Sequence, residues 1–290
     1  MKPLLIEIEQ EIPGFKNFIG AWVCQGDMNI IFDIGPANSV NRLIDSLVST
    51  GISHIDYIIL THIHIDHAGG LAGLIEHFPM AKVVCHARGI RHLVDTSKLW
   101  SGSCDTLGSI ADSFGRPKPV SEERCIRHTD VNIHDMQIIE TPGHAAHHLS
   151  FLYKGILFSG EAAGNYFIFN SHEYMRPATP PRLFLNKFLE SVDRLIALGD
   201  RRICYAHFGE AESSLDMLLR FKEQVIRWKE TIKEEMAAGS KGIIERCAEK
   251  LIQNDPELAV FKILDPEIQI RERNFISNSI MGFISFLKED

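Results

Sequence analysis

Potential metal ligands follow a short apolar segment of the chain. Residues 57–60 (Tyr-Ile-Ile-Leu) have the length and composition of a buried β-strand. The next motif is His62-x-His64-x-Asp66-His67. Alternate residues of an extended segment point the same way, so His62 and His64 can contact one cation. Asp66 and His67 follow where the chain leaves the strand and can turn toward a second cation. The sequence therefore predicts a metal site at the end of a buried strand.

The residue types at this site restrict the kind of metal. Imidazole and carboxylate groups together suit zinc, iron or manganese, whereas calcium prefers a shell of oxygen ligands. Histidines can also cluster by chance on a solvated loop. Four polar side chains directly after an apolar strand would then need other partners, because buried polar groups without hydrogen bonds are costly. A metal site is the better interpretation.

The composition limits the class of protein. The 290 residues are 45% hydrophobic and 23% charged, which is typical of a globular protein with one large α/β domain, or a main domain and a small appendage. The formal net charge of -8 argues against binding nucleic acid through phosphate neutralisation. No C-x-x-C spacing occurs, so we expect reduced thiols rather than disulfides or a thiolate zinc site. The cysteines are Cys24, Cys85, Cys104, Cys125, Cys204 and Cys247.

The N-terminal region has no pattern typical of secretion. Glu7, Glu9 and Glu11 stand where a secretory signal would need a basic start followed by an apolar run. No stretch of the sequence approaches the ~18 apolar residues of a membrane span. We therefore expect a cytoplasmic location and no membrane partner.

The apolar pattern of the first half predicts alternating strands and helices. Short strands joined by turns are expected over residues 4–33, and an insertion of two or three helices, with a loop at 101–103, over about 88–120. Helices are also expected at 39–49 and 69–77, and strands at 57–60 and 82–85.

The second half of the chain predicts more strands and then a helical tail. The tail covers residues 210–290, with the clearest helical spacing at 215–236 and 275–287. A helix is also expected at 183–198. The predicted strands are 131–133, 137–140, 149–153, 156–159 and 201–205.

Five separated segments resemble one known family. The segment from Thr61 to Gly70 resembles the H-x-H-x-D-H motif and flanking residues of the metallo-β-lactamase superfamily. Four more segments agree with that family in order and spacing over residues 1–209. They are Asp33-Ile34-Gly35, Thr141-Pro142-Gly143-His144, Ser159-Gly160-Glu161 and Ala206-His207-Phe208-Gly209.

The resemblance implies an α/β fold, the four-layer αβ/βα metallo-β-lactamase sandwich. Residues 1–209 would form the catalytic domain, with the helical insertion at about 88–120. Residues 210–290 would form a C-terminal helical extension packed on the core. The Tyr-x-Arg-Pro-x-Thr-Pro-Pro segment that begins at Tyr174, together with the insertion and the tail, is similar to a poorly characterised bacterial and archaeal branch of the superfamily.

The resemblance also implies two divalent transition-metal ions, with zinc expected first and iron or manganese as alternatives. The usual bridging residue is aspartate, and this chain has the longer Glu161. The extra methylene could lengthen the metal separation, change the preferred metal or weaken the second site, so the number and identity of the ions stay open. The implied ligands are His62, His64 and His144 for the first ion, Asp66, His67 and His207 for the second, and Glu161 for both.

Such a ligand set implies hydrolysis. A cation with an open position lowers the pKa of bound water from about 15.7 to about 7 and polarises a carbonyl or phosphoryl oxygen. The resemblance implies a metal-bound hydroxide as the nucleophile, with Asp66 as the catalytic residue that orients it and accepts its proton. The ion at His67 and His207 would stabilise the leaving oxygen or sulfur. We expect a hydrolase that cleaves a small ester, lactone or thioester.

Further residues are expected to support the ligands or to bind substrate. His148 matches a histidine often found in thioester-cleaving and lactone-cleaving members, and both an orienting role and simple packing are open for it. An aromatic and proline-rich loop over residues 165–181 is expected near the site. Within it Tyr166, Tyr174 and Arg176 could line the pocket, with Arg176 against an anionic group, or the loop could be a surface linker. The expected partner is a small-molecule substrate, and homo-oligomer formation is left open.

Two other functions remain as alternatives. One is an iron-dependent oxygenase, since the persulfide dioxygenase members use a single iron, which a weakened second site would allow. The flavodiiron pattern fits less well, because it has a glutamate at the position of His64 and needs a flavin domain that the tail is too short to form. The other alternative is a binding or regulatory protein with a weakened metal site.

Overall fold

Apolar side chains that alternate along the strands pack two β-sheets against each other. The computed structural model describes residues 2–289. The first sheet has six strands in chain order, antiparallel at β1–β3 and parallel from β3 to β6. Its strands are β1 (Leu4–Glu7), β2 (Gly20–Cys24), β3 (Ile30–Phe32), β4 (Tyr57–Ile59), β5 (Lys82–Cys85) and β6 (Cys125–Arg127).

The second sheet has five strands, and a separate two-stranded hairpin lies outside it. The hairpin is β10 (Asn165–Phe169) with β11 (His172–Arg176). The sheet consists of β7 (Met136–Glu140), β8 (Leu149–Tyr153), β9 (Ile156–Gly160), β12 (Arg202–Tyr205) and β13 (Glu210–Ala211). Their spatial order is β13-β12-β9-β8-β7, with β9 and β12 parallel.

The strands at the sheet interface are buried on both faces. Phe32 of the first sheet stacks on Phe158 of the second, with ring centroids 4.0 Å apart. Their chain neighbours Ile31 and Leu157 point the other way, into the cores beneath the helices. This two-sided burial explains why these strands have continuous apolar sequences.

Helices cover the outer face of each sheet. Those of the first half pack on the first sheet, and α7 with the tail packs on the second, which confirms the predicted four-layer fold. The helices are α1 (Val40–Ser49), α2 (Ile65–Ala68), α3 (Leu71–His77), α4 (Ala87–Val94), α5 (Ser97–Leu107), α6 (Ser109–Phe114), α7 (Leu185–Ile196), α8 (Ser214–Ala237), α9 (Ile243–Asn254) and α10 (Pro266–Glu289). Short 3-10 helices lie at Ala37–Ser39, Glu122–Arg124 and Pro256–Ile263.

Four local predictions were wrong. Residues 101–103, which were expected to form a loop, lie inside α5. A glycine destabilises a helix by only about 1 kcal/mol, and no other group lies within 4 Å of the Cβ position at Gly102. Residues 131–133 form no strand, and β6 was not predicted. Residues 165–176 form the β10–β11 hairpin rather than a loop. The tail also begins with the short strand β13 rather than a helix.

The tail shares one apolar core with the second sheet. Trp228 of α8 and Phe283 of α10 are fully buried there, beside Phe188 of α7 and Tyr205 of β12. The helical pattern predicted for the tail is confirmed by α8–α10, and the division into domains at residue 209 stays a prediction. Among the described residues, no helix has both the length and the apolar character that a bilayer span requires.

A buried charge cluster ties the tail to the hairpin. Glu272 of α10 accepts hydrogen bonds from the Nε atoms of Arg176 and Arg271, and all three residues are almost fully buried. Burial alone would raise the pKa of Glu272, but the two guanidinium groups outweigh it and lower this pKa from 4.5 to about 2.

We predict that Glu272→Gln lowers the free energy of unfolding by about 3 to 5 kcal/mol at pH 7, because it leaves two buried guanidinium groups unpaired. Since the folded-state pKa is the lower one, the stabilisation from Glu272 is complete above about pH 4.5 and is lost as the pH falls toward 2. Urea denaturation of both proteins across this range measures the difference. Glu267→Gln, at an exposed position of the same helix, should change stability by under about 0.5 kcal/mol; an equal loss in both variants would contradict the prediction.

Candidate metal centre

Asp33 fixes the start of the ligand loop. It follows β3 in a left-handed conformation (φ +52°), and its carboxylate is buried. One oxygen accepts the backbone N–H of Thr61 at 2.8 Å, and the other accepts the Thr61 hydroxyl at 2.8 Å. Asp33 thereby holds the chain as it leaves β4, so that His62 and His64 extend from the end of a central strand.

The seven predicted ligands lie at one edge of the two facing sheets. The loop after β4 supplies the first motif, and the others come from the β7–β8 loop, the end of β9 and the end of β12. They form two groups, and the ligand atoms within each group lie within 4.8 Å of one another. The groups are His62, His64, His144 and Glu161, and Asp66, His67 and His207.

Hydrogen bonds to the Nδ1 atoms fix the tautomers of three ligands. His67 Nδ1 lies 3.0 Å from Asp33 Oδ2, and His144 Nδ1 lies 2.7 Å from the carbonyl of Ala178. His62 Nδ1 lies 3.0 Å from the hydroxyl of Thr61, which already donates its hydrogen to Asp33. Since these oxygens can only accept, each ring carries its proton on Nδ1 when neutral. Each Nε2 lone pair is then free to bind a metal ion, which is the usual arrangement of metal-bound histidines.

The ring nitrogens converge on a common space. His64 Nδ1 lies 3.0 Å from both His62 Nε2 and His144 Nε2. Burial first, and then the neighbouring histidines, lower the pKa of His62 and His64 well below 6.5. Both rings are therefore neutral at physiological pH, which is the form that binds metal.

The carboxylates around His67 favour a positive charge in the second group. Burial would lower the pKa of His67, but Asp66, Asp33 and Glu161 outweigh it and raise this pKa to about 10. A cluster that stabilises a proton so strongly also stabilises a divalent cation. His67 Nε2 is buried and has no hydrogen-bond partner within residues 2–289. These residues therefore fit a metal ion.

Glu161 contacts both groups. Its Oε2 lies 2.8 Å from His144 Nε2 and 3.2 Å from His62 Nε2, and its Oε1 lies 3.1 Å from His207 Nε2. The longer side chain thus places one oxygen on each group, as a bridging ligand requires.

His148 orients Glu161. Its Nε2 accepts the backbone N–H of Glu161 at 3.0 Å, and its Nδ1 lies 2.8 Å from the hydroxyl of Thr141. Burial lowers the pKa of His148 well below 6.5, so the ring is neutral. A Cβ at Gly160, which has φ +59°, would lie 2.4 Å from His148 Nε2. The orienting role that the sequence left open is the one this geometry favours.

The position of His207 is fixed by aromatic packing and by a strained turn. The ring of Phe18 stacks on the His207 ring with centroids 4.6 Å apart. The next residue, Phe208, has φ +133°, a backbone conformation that residues other than glycine rarely adopt. His207 Nε2 lies 3.5 Å from Asp66 Oδ2. No sequence pattern predicted the contact between Phe18 and His207, because residues that pack on a ligand have no fixed spacing from it along the chain.

His86, His128 and Glu140 form a third cluster of possible ligands, in which both histidines have the tautomer opposite to that of His62, His67 and His144. His86 Nδ1 accepts the backbone N–H of Arg88 at 3.0 Å, and His128 Nδ1 accepts that of Ala87 at 3.2 Å. The neutral rings therefore carry their protons on Nε2, and His128 donates this proton to Glu140 at 3.0 Å. His86, His128 and Glu140 lie close enough to share an ion. In these tautomers the Nδ1 lone pair of each ring already accepts a backbone N–H, so neither ring has a free lone pair for a metal ion.

Five of the seven predicted ligands line a cavity of about 360 Å³: His64, Asp66, His144, Glu161 and His207. Arg176 lies in its wall, as do residues that the sequence did not indicate: Leu99 and Leu107 of α5, and Phe275 and Ser279 of α10. These come from the insertion and the tail, so the cavity exists only after both have packed on the core.

Two predicted substrate residues do not reach this cavity. Tyr166 donates its hydroxyl hydrogen to Glu173 at 3.0 Å, and Tyr174 is fully buried with its ring stacked on Phe167. Neither contributes to the cavity wall. Tyr166 lies on the face of the hairpin opposite to Arg176. Tyr174 shares the face of Arg176, but its side chain is buried against Phe167.

The sequence matches a known family over most of its length. Residues 21–207 match the model described as the metallo-beta-lactamase superfamily. This chain belongs to the metallo-β-lactamase superfamily. The matched region includes all seven residues predicted to bind metal.

Individual relatives agree with this membership. A metallo-beta-lactamase fold-containing protein of Sulfurisphaera tokodaii is 31% identical over 196 residues, which cover 64% of this chain and 71% of the relative. A hydroxyacylglutathione hydrolase of Cupriavidus taiwanensis is 26% identical over 205 residues, covering 68% and 65%.

Solved structures show the same fold. An archaeal metallo-beta-lactamase superfamily protein from Sulfolobus tokodaii aligns with a TM-score of 0.69 at 24% identity, over 98% of this chain and 99% of the other. A metallo-beta-lactamase family protein from Thermus thermophilus aligns with a TM-score of 0.62 at 20% identity, over 99% and 93%. Both alignments include the helical tail.

We predict that the protein purified without added metal holds at least one transition-metal ion per chain, and that the His62→Ala, His64→Ala double variant loses it. Elemental analysis after gel filtration measures the content. The matched control is His86→Ala, His128→Ala, which removes two histidines of the third cluster and should leave the metal content unchanged. Equal metal content in all three proteins would contradict the assignment of the centre.

Proposed function

We propose that this protein is a metal-dependent hydrolase that cleaves a small ester, lactone or thioester. The observation that carries the proposal is the convergence of five imidazoles and two carboxylates beside a small cavity. Membership of the superfamily and the relatives named hydroxyacylglutathione hydrolase support hydrolysis as the reaction class.

His62, His64 and His144 would hold one ion, Asp66, His67 and His207 a second, and Glu161 both. A transition-metal ion at this place lowers the pKa of bound water to about 7 and polarises a substrate carbonyl oxygen. We assign zinc as the first expectation, with iron and manganese as alternatives, because mixed imidazole and carboxylate ligands suit all three.

Asp66 has the position of a general base. Its carboxylate lies at the cavity wall and is more exposed than Glu161, with side-chain exposures of 18% and 6%. Its Oδ2 lies 3.6 Å from His67 Nε2 and 3.5 Å from His207 Nε2. One carboxylate oxygen of Asp66 can therefore orient the attacking water molecule and accept a proton from it. This proton then passes to the leaving group.

The cavity favours a small substrate. Its volume of about 360 Å³ is at the lower end of the range usual for ligand pockets, about 300 to 1,000 Å³. The net charge of -8 disfavours a nucleic acid, which would meet electrostatic repulsion. We therefore assign a small-molecule substrate.

We predict that the metal-loaded protein hydrolyses members of a panel of esters, lactones and thioesters, and that Asp66→Asn lowers kcat/KM by about 100-fold or more while the His62 group retains its ion. The control Asp45→Asn, at an exposed site on α1, should keep full activity. The rates are followed by release of the chromogenic alcohol or thiol, and the metal content by elemental analysis.

Two results would refute this function. The first is a metal-loaded protein with no turnover on the whole panel, which would favour a binding role. The second is oxygen consumption with a bound iron and no hydrolysis, which would favour an oxygenase.

A further inference from the structure

A buried arginine with an unused donor lies in the wall of the cavity. Arg176, at the end of β11, is 1% exposed. Its Nε donates to Glu272, and its Nη1 donates to the carbonyl of Pro177 at 3.3 Å. Its Nη2 is also buried, yet it has no hydrogen-bond partner anywhere in the described chain. A buried N–H of a charged group without an acceptor is costly, so this group suits a ligand that supplies one.

The charge around Arg176 is not balanced. Glu272 is shared with a second buried guanidinium, that of Arg271, whose Nε lies 2.8 Å from it. The cluster of two positive groups and one negative group carries one net positive charge, and the carboxylate of Glu161, which lines the same cavity, also acts on Arg176. The unpaired donor belongs to Arg176, which faces the cavity, while Arg271 donates its Nη1 to Gly14 at 2.6 Å and lines a separate groove. The excess charge is therefore presented to the cavity side.

A second unpaired polar group lies beside the first. Asn165 is directly opposite Arg176 in the β10–β11 hairpin, so both side chains lie on the same face. Asn165 is buried and also lines the cavity, and its Oδ1 has no partner among residues 2–289. Nη2 of Arg176 is a donor and Oδ1 of Asn165 is an acceptor, so a carboxylate can pair with the first, and Asn165 can contact it only through its Nδ2 donor.

The rest of the wall is mixed. Lys98, Thr106 and Asn278 contribute polar groups, and Leu99, Leu107, Phe275 and Pro180 form an apolar part. A ligand that carries apolar carbon between two polar ends would match this wall.

From these observations we propose that Arg176 binds a carboxylate of the substrate, and that the substrate is an acyl compound whose carboxylate is separated by a short carbon chain from the bond that is cleaved. This inference rests on the proposed hydrolase function, but it concerns recognition and can be tested by binding alone. A planar guanidinium with N–H donors matches carboxylate oxygens in geometry and charge.

The test is calorimetric binding to the metal-loaded protein. The probes are 5-oxohexanoate, a ketone analogue that cannot be hydrolysed, its neutral counterpart 2-hexanone, and the sulfonate of the same chain length. We expect 5-oxohexanoate to bind at least about 10-fold more tightly than 2-hexanone. A difference under about 2-fold would overturn the proposal. Tighter binding of the sulfonate would overturn the choice of a carboxylate.

Variants separate the arginine from the metal as the source of anion binding. Arg176→Lys should weaken 5-oxohexanoate about 10-fold or more and leave 2-hexanone unchanged. Asn165→Asp, which leaves the Arg176–Glu272 pair intact and places a carboxylate beside the free donor, should have the same effect by competition.

The matched control is Arg271→Lys, which alters the same Glu272 cluster outside the cavity and should leave the anion preference within about 2-fold. Equal losses in Arg176→Lys and Arg271→Lys would assign a structural role and overturn the proposal, as would an unchanged preference in Asn165→Asp.

Activity then distinguishes the two proposals. Wild-type protein that binds the anionic ketone with this pattern but cleaves none of the panel would refute hydrolysis and keep the subsite. Protein that cleaves neutral and anionic esters equally, with no effect of Arg176→Lys, would keep hydrolysis and refute the subsite.

Discussion

One buried carboxylate organises much of the metal centre. Asp33 accepts hydrogen bonds from the backbone and side chain of Thr61, and from Nδ1 of His67. Through the hydroxyl of Thr61 it also fixes the ring of His62. A single group at the end of β3 thus sets the direction of two ligands from the neighbouring strand. Such hydrogen bonds make the ring orientations part of the fold, so that little ordering remains when an ion binds.

The same logic distinguishes a metal site from a cluster that only resembles one. In the metal centre, the Nδ1 atoms of His62, His67 and His144 face acceptors, which frees the opposite lone pairs. In the third cluster, His86 and His128 accept backbone N–H groups and lose that capacity. Distances between ligand atoms cannot make this distinction, because proximity is the same in both cases and the difference lies in which nitrogen carries the proton.

The cavity depends on the segments that surround the two sheets. The hairpin brings Arg176 and Asn165 to the cavity, the insertion contributes α5, and the tail contributes α10. Glu272 of the tail pairs with Arg176, so the element that closes the cavity also holds its charged group in place. The size and lining of the cavity are therefore set largely by segments that carry none of the predicted ligands.

The sequence by itself determined the strand before the ligands, the ligand types and the fold that their order implies. These features depend on local periodicity and on motifs of adjacent residues, which are present before the chain folds. The tertiary structure alone decided that residues 165–176 form a hairpin and that α5 continues through Gly102. It also decided that, on one face of this hairpin, Tyr174 is buried against Phe167 while Arg176 lines the cavity. It also decided which histidines can bind metal, through partners such as Ala178, 34 residues from His144. Contacts of this kind join residues with no fixed spacing, because they arise when layers pack, and no local pattern in the sequence encodes them.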